Sequence, residues 1–417
     1  MIFRQFKYRL VLLIISSMLA LLGPKSAQGQ LFRVVEEERE ISVPFQMYGE
    51  LIIVDIIMDR LIPMKFIFDT GAENTLLFDK KYSDYLGFKY ERKIPVYGSN
   101  LDSTVNALIT RNVELQLIGL PVLKTDILVL ESAPEGIRHS LGKEIHGILG
   151  AHFFGSVPFK IDYRRREIRF IHPEDWVKSP KNKYDILPLQ MNDRKPYCEI
   201  SFSTDSSSTE NLLFLLDTGA SLGVLVHQNT SPELSVPVGA AEGVLGYGIS
   251  GYLTGFLSRL KTFEFGRYQF PEIIVAFQKL DMRKIDTNDI NRNGIIGNTM
   301  LKKFDLVFDY TSSRLYLKPN KFYAKEQKFD KSGMVLGAFG PDLKDYTIIQ
   351  VIEGSPAELA GLKRGDRIKR VGLLPASAYE LTRLLRKFKG KNGKKICLKM
   401  FRGEKKYKTQ MVLKSLL

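Results

Sequence analysis

Phe66-Ile67-Phe68-Asp69-Thr70-Gly71-Ala72 returns further along the chain as Phe214-Leu215-Leu216-Asp217-Thr218-Gly219-Ala220, its aspartate 148 positions after the first. In both copies three apolar residues lead into Asp-Thr-Gly, the pattern of a strand running out of a buried core into a tight turn. The echo extends outward. Val96-Tyr97-Gly98-Ser99 is answered by Gly246-Tyr247-Gly248-Ile249, and Gly147-Ile148-Leu149-Gly150 by Gly294-Ile295-Ile296-Gly297. Asp162-Tyr163 followed by Ile168 is answered by Asp309-Tyr310 followed by Leu315. Four landmarks in one order at nearly constant spacing mark a tandem duplication. Two units of about 150 residues form a pair of lobes, since a solenoid would need more and shorter repeats.

Within each copy the reading is β. Runs such as Leu51 to Ile57, Lys65 to Phe68, Val113 to Leu117, Thr125 to Leu130 and Glu167 to Ile171 are short and rich in Ile, Val, Leu and Phe. Gly, Pro, Asn and Asp separate them.

Asp at the end of a buried strand, followed by Gly, sits where backbone N–H groups can approach its carboxylate. Thr between them can hydrogen-bond across to the other copy and lock the two turns together. Two carboxylates brought together near a pseudo-twofold axis cannot both ionise, so the pair holds one proton. One member then takes a proton from water while the other donates to a carbonyl, and the sequence does not say which does which.

The duplicated Asp-Thr-Gly-Ala, with Gly-Ile-Leu-Gly and Gly-Ile-Ile-Gly, resembles the aspartic peptidases, most closely the retropepsin branch, over roughly residues 45–320. The resemblance implies catalytic Asp69 and Asp217, supported by Thr70, Gly71, Thr218 and Gly219. It places Ile148-Leu149-Gly150 and Ile295-Ile296-Gly297 behind the catalytic loops. It places Tyr97-Gly98 and Tyr247-Gly248 in hairpins, or flaps, that close over substrate. The fold implied is the two-lobed acid protease, fused as in pepsin and so active as a monomer. Pepsin-like chains carry Ser after Asp-Thr-Gly. Ala72 and Ala220 stand there instead, and loss of a hydroxyl bond to the carboxylates implies higher pKa values and work nearer neutral pH.

Beyond the repeat, Ser355-Pro356-Ala357-Glu358-Leu359-Ala360-Gly361-Leu362-Lys363-Arg364-Gly365-Asp366-Arg367-Ile368 resembles the core of a bacterial PDZ domain. Ser355-Pro356 reads as a helix start and Gly361 as its end. Tyr379 to Phe388 has helical spacing and would flank a peptide groove. The resemblance implies capture of a peptide C-terminus, with Gly333-Met334-Val335-Leu336-Gly337 as the carboxylate loop. The fold class expected is therefore mainly β, two acid-protease lobes followed by an α+β PDZ-like domain. The divisions read as a leader at 1–29, lobes at 30–180 and 181–320, a linker at 321–332 and the PDZ-like domain at 333–417.

The leader has Arg4, Lys7 and Arg9, an apolar run from Leu10 to Leu22 and small residues at Ala27-Gln28-Gly29. This is the pattern of a secretory signal, shorter than a membrane span, and it implies a periplasmic or secreted protein. Leu31 to Ile41 reads as a trimmed arm. Formal net charge is +15, but residues 331–417 alone carry 20 basic and 7 acidic side chains. Basicity confined to the last domain of an exported chain points to acidic peptides or an anionic envelope surface, and not to nucleic acid. Cys198 and Cys397 fall in different domains, which excludes a disulfide framework. His146 and His152 lack metal-ligand spacing, and neither metal nor cofactor is expected. Asp286 to Gly294 resembles a calcium loop, but Ile290 occupies a ligand position and Gly297 stands where the closing Glu belongs. No Gly-x-Ser-x-Gly element supports a serine nucleophile. Two readings stand: an exported aspartic endopeptidase acting on peptides or proteins, and a catalytically silent peptide-binding scaffold.

Overall fold

The computed structural model of the chain describes residues 27–99, 104–203, 208–232, 234–280 and 292–417. The leader up to residue 26 and most of the Asp286–Gly294 loop lie outside the described residues. The chain is mainly β, as its composition and turn spacing lead one to expect.

One eight-stranded sheet runs in the order Gln46–Tyr48, Leu51–Met58, Ile62–Phe68, Gly147–Leu149, Leu76–Leu77, Leu123–Leu130, Thr104–Leu117, Lys93–Tyr97. A second runs in the order Gln190–Asn192, Lys195–Ser203, Ser208–Asp217, Gly294–Gly297, Val224–His227, Tyr268–Gln278, Gly251–Phe265, Ala241–Gly248. Strand for strand, the second repeats the first. The two halves then share a six-stranded sheet, Glu40–Pro44, Glu167–Ile171, Phe159–Asp162, Phe304–Asp309, Arg314–Pro319, Asp185–Pro188. Its central antiparallel pair takes one strand from each half, with Phe159 opposite Phe308 and their rings stacked 5.2 Å apart. The repeated Asp-Tyr now has a local cause. Asp162 accepts from the N–H groups of Arg164 and Arg165, and Asp309 from that of Ser312, closing the turns that reverse each strand. Phe68, Phe154, Phe159 and Phe308 are fully buried around this seam. Each such side chain contributes on the order of 2 kcal/mol by burial.

A helix, Ala27–Glu38, begins inside the expected leader and runs past residue 30. Leu31 and Val35, one turn apart, are completely buried in the main core, so the stretch read as a trimmed arm is an integral part of the first half. The strand Glu40–Pro44 follows, with Ile41 and Val43 facing inward.

The expected linker is a fastened strap. The Lys303 ammonium donates to the carbonyls of Tyr323 and Lys325, the Gln327 carbonyl oxygen accepts from Ile274 N–H, and Phe322 and Tyr323 pack on the main core. Its polar composition hid these aromatic anchors.

The last unit has a core of its own, including Ala357, Leu384, Phe388, Leu398 and Met411. Its sheet runs Met334–Phe339, Asp345–Val351, Arg367–Val371, Lys395–Arg402, Lys405–Val412. Ser355 Oγ accepts from Glu358 N–H at the start of the helix Pro356–Leu359. Asp366 receives a two-pronged bond from Arg402. The second helix is Leu381–Phe388, two residues shorter than its sequence periodicity suggests, because the Tyr346 hydroxyl donates to the Tyr379 carbonyl and holds it outside the helix. The expected carboxylate loop is also different. Met334 to Gly337 form the start of the edge strand Met334–Phe339, with Met334 and Leu336 turned into the core and only Gly333 left in a loop conformation at φ +73°. Alternating apolar residues outweighed the flanking glycines.

Candidate active site

Asp69 follows the strand Ile62–Phe68 and Asp217 ends the strand Ser208–Asp217. Each strand is braced from behind by a parallel neighbour, Phe66 pairing with Gly147 and Phe214 with Gly294. The two turns lock reciprocally. Thr70 N–H donates to Thr218 Oγ1 at 3.1 Å and Thr218 N–H to Thr70 Oγ1 at 3.0 Å. Each hydroxyl donates in turn to the opposite half, Thr70 to the Leu216 carbonyl at 2.7 Å and Thr218 to the Phe68 carbonyl at 2.8 Å. Both threonines are fully buried, so all four bonds are shielded from water.

The lock brings the two carboxyl groups close together, each residue only 9% exposed. Gly71 N–H donates to Asp69 Oδ1 at 2.7 Å and Gly219 N–H to Asp217 Oδ1 at 2.7 Å, with Ala72 N–H adding a second bond to Asp69 at 3.1 Å. Each glycine is also a clearance. A Cβ on Gly71 would come within 2.5 Å of Asp217 Cγ, and one on Gly219 within 2.2 Å of Asp69 Oδ2. Any side chain there would push the acids apart.

Burial, then the neighbouring Asp217 charge, pushes Asp69 well above the ordinary carboxylate range. Burial also raises Asp217, but the hydrogen bond with Asp69 and the Arg292 charge oppose the rise. Two acids so close and so dry hold one proton between them over the range where isolated carboxyls would both be ionised.

Above the acids lie two hairpins, Lys93–Tyr97 with Thr104–Leu117 and Ala241–Gly248 with Gly251–Phe265. Their ends touch, since a Cβ on Gly248 would lie 2.8 Å from Ser99 Oγ. Tyr97 is 50% exposed, whereas the Tyr247 ring packs on Tyr252 and against Gly136. Beneath them runs one cavity of about 1560 Å³ that reaches from Asp69 and Asp217 to Met334, Val335 and Leu336 and to Thr382, Leu385 and Arg386 of the last unit. That is more than the 300–1,000 Å³ or so of an ordinary small-molecule site, and it suits an extended chain.

The helix Glu135–Leu141 of the first half, not singled out by the sequence, joins the two ends of this cavity. Gly136 meets Tyr247, and the His139 ring packs at a tilt against Phe339 of the edge strand, 4.3 Å between ring centres. Gly142, just past the helix, sits between Ala338 and Leu381, and Lys143 pairs with Glu380 at 2.6 Å. Two further residues escaped the sequence reading, Arg292 and His227. Comparing the copies position by position would have found them, because both stand where the first copy is apolar. His146 is structural, its Nδ1 accepting from Lys65 N–H at 3.0 Å. Among the described residues no group of three His, Cys, Asp or Glu side chains could hold a metal ion, and no helix is long and apolar enough to cross a membrane.

Residues 55–153 match the aspartyl protease family model. The matched stretch carries Asp69, the first hairpin and the Gly147–Gly150 brace, and it supports a proteolytic function in general terms. No curated protein matches the chain.

Proposed function

We propose that the chain is an exported aspartic endopeptidase in which Asp69 and Asp217, one from each half of a two-lobed fold, act together on a single water. The observation that carries this reading is the reciprocal Thr70–Thr218 lock, which holds two buried carboxyl groups in contact at the floor of a long cavity. The ionised carboxylate accepts a proton from the water as its oxygen attacks the peptide carbonyl, and the protonated one donates to the carbonyl oxygen. The tetrahedral species collapses as the C–N bond breaks. The leaving nitrogen takes the proton held by the first acid, and a hydroxyl of the intermediate returns one to the second. The hairpins bearing Tyr97-Gly98 and Tyr247-Gly248 exclude solvent while this proceeds.

The last unit we read as a PDZ-like domain that gates the cleft in cis. Support lies in the helix Glu135–Leu141, wedged between Tyr247 and the edge strand Met334–Phe339, and in a direct bond from Val244 N–H to Gln350 Oε1 at 3.0 Å. A peptide C-terminus entering the groove between that strand and Leu381–Phe388 competes with Gly142 and Lys143, and displacing them frees the second hairpin. The basic surface of this unit suits acidic peptides or an anionic envelope surface. The leader pattern at Arg4 to Leu22 supports export.

The deciding experiment is cleavage of a peptide library between pH 4 and 8 by the full chain and by Asp69→Asn and Asp217→Asn. Loss of turnover in both variants establishes the shared site. No turnover by the unaltered chain, with peptide binding retained, establishes the silent scaffold instead.

A further inference from the structure

The sheet of the last unit divides along its width. Its first two strands, Met334–Phe339 and Asp345–Val351, adjoin the two halves, since Phe339 packs on His139 and Gln350 accepts from Val244 N–H. The other three, Arg367–Val371, Lys395–Arg402 and Lys405–Val412, turn alternate residues such as Ile368, Leu398 and Met411 into the core of the unit. Their register fixes what the opposite face carries. Arg370 stands beside Lys399 and Lys399 beside Lys408, three exposed cations in one row across three strands. The next row is Arg367, Phe401 and Lys406, and the ammonium groups of Lys369 and Lys406 each lie 5.9 Å from the Phe401 ring centre. Lys395 adds a further exposed cation beside Val412.

Like charges directly opposite one another destabilise a sheet. The first half answers its surface cations with acids, as where Arg111 pairs with both Glu91 and Asp126. On this face the only ion pair among the described residues is Lys369 with Asp345, at 3.7 Å. An apolar tip lies next to the row of cations. The Arg370 guanidinium donates to the Leu373 carbonyl, and Leu373 and Leu374 are 87% and 51% exposed. The cavity that holds the two acids reaches none of these residues.

We propose that this face docks the protein on an anionic lipid bilayer, with its cations against the headgroups and the Leu373-Leu374 tip in the interface. The proposal rests on the basic-surface reading of the last unit, not on the paired carboxylates, and it names the partner. A bilayer fits where an acidic peptide does not. A peptide adds to a strand edge or fills a groove. These charges lie across the flat of three strands, next to exposed leucines for which a soluble acid offers no partner. Each lysine or arginine held near an anionic bilayer strengthens binding about fivefold, and exposed leucines gain by reaching the boundary of the acyl chains. Docking there leaves the cavity clear, because it uses none of the cavity's lining.

Co-sedimentation of the full chain with vesicles tests this without any turnover, so its outcome stands apart from that of the cleavage assay. The probes are vesicles of phosphatidylcholine alone and of phosphatidylcholine with about one third phosphatidylglycerol. Binding is expected to the anionic vesicles only, and it should weaken at least about tenfold as ionic strength rises from about 0.05 to 0.5 M. Lys399→Gln combined with Lys408→Gln should lose about twentyfold in affinity. Lys89→Gln with Lys178→Gln, exposed lysines of the first half, should lose nothing. Removing a like-charge pair should leave the melting temperature of the Lys399→Gln/Lys408→Gln chain no lower than that of the unaltered one, which separates lost docking from lost fold. Leu373→Ser, at the exposed tip, should weaken binding about tenfold while keeping its salt dependence, and it carries the test where the lysine variant melts early. Equal binding to both vesicle types, or full anionic binding by a folded Lys399→Gln/Lys408→Gln chain or by Leu373→Ser, overturns the proposal. No binding to anionic vesicles also overturns it, and retention on immobilised polyglutamate in that case assigns the face to an acidic peptide instead.

Discussion

The two halves agree in the order of their eight strands and in the four bonds of the threonine lock, and they differ at one buried pair and in their hairpin tyrosines. In the first half the buried pair Phe78 and Ile145 is apolar and the hairpin tyrosine is half open to solvent. In the second half a guanidinium and an imidazole take the place of that pair, and the hairpin tyrosine is packed against a neighbouring helix. The duplication supplies two equal carboxylates. The differences between the halves sit outside the repeated motifs.

The severest way to break the symmetry is to neutralise one acid. Asp69→Asn and Asp217→Asn should each lower kcat on a cleaved peptide by at least about 10³-fold, in line with loss of a general acid or base. Equal losses, read by steady-state kinetics, fit a site that works as one unit. A variant keeping more than a tenth of the activity breaks it.

The lock should respond alike from either side. Thr70→Val leaves the Leu216 carbonyl and Thr218 N–H without partners, and Thr218→Val leaves the Phe68 carbonyl and Thr70 N–H likewise. Each should cost about 2–4 kcal/mol in denaturant unfolding.

The hairpins should respond unequally. Tyr247→Ala removes a ring packed on Tyr252 and Gly136 and should cost about 2 kcal/mol. Tyr97→Ala, half exposed, should fall within about 0.5 kcal/mol of the unaltered chain and act on KM instead.

The smallest contrast is one of pH. Burial raises both acids, so the folded state binds more protons than the unfolded chain once pH exceeds the unfolded carboxylate value of about 3.9. Stability from these groups is present below that value and is lost as pH rises through the folded values. Asp69→Asn should therefore raise the melting temperature at pH 7, an advantage that vanishes near pH 3. The gain for Asp217→Asn should be smaller, because Arg292 opposes the rise there. Melting curves at the two pH values decide it.

Much of this was legible in the sequence because it repeats. Each motif has to do the same local work twice, so Asp-Thr-Gly, the Gly-Ile-x-Gly brace and the Asp-Tyr turn announce themselves by recurrence. What recurs only in space was not legible. Arg292 pairs with Ser99 across 193 positions, and nothing in its neighbours marks that partner. The helix Ala27–Glu38 shares small residues with the end of a leader, and only the burial of Leu31 and Val35 in three dimensions distinguishes it. The strap after residue 320 reads as polar because its anchors are two aromatics and one lysine directed at backbone carbonyls.

The central strands Phe159–Asp162 and Phe304–Asp309 meet across the axis as parts of one polypeptide. In an assembly of two identical chains every substitution is made twice, once on each side. A side chain gained on one side would then face its own copy on the other, and neither acid would be singled out. A single chain spanning the axis can alter one side alone, so a specialised acid and a specialised base are open to it in a way that an exact dimer does not permit.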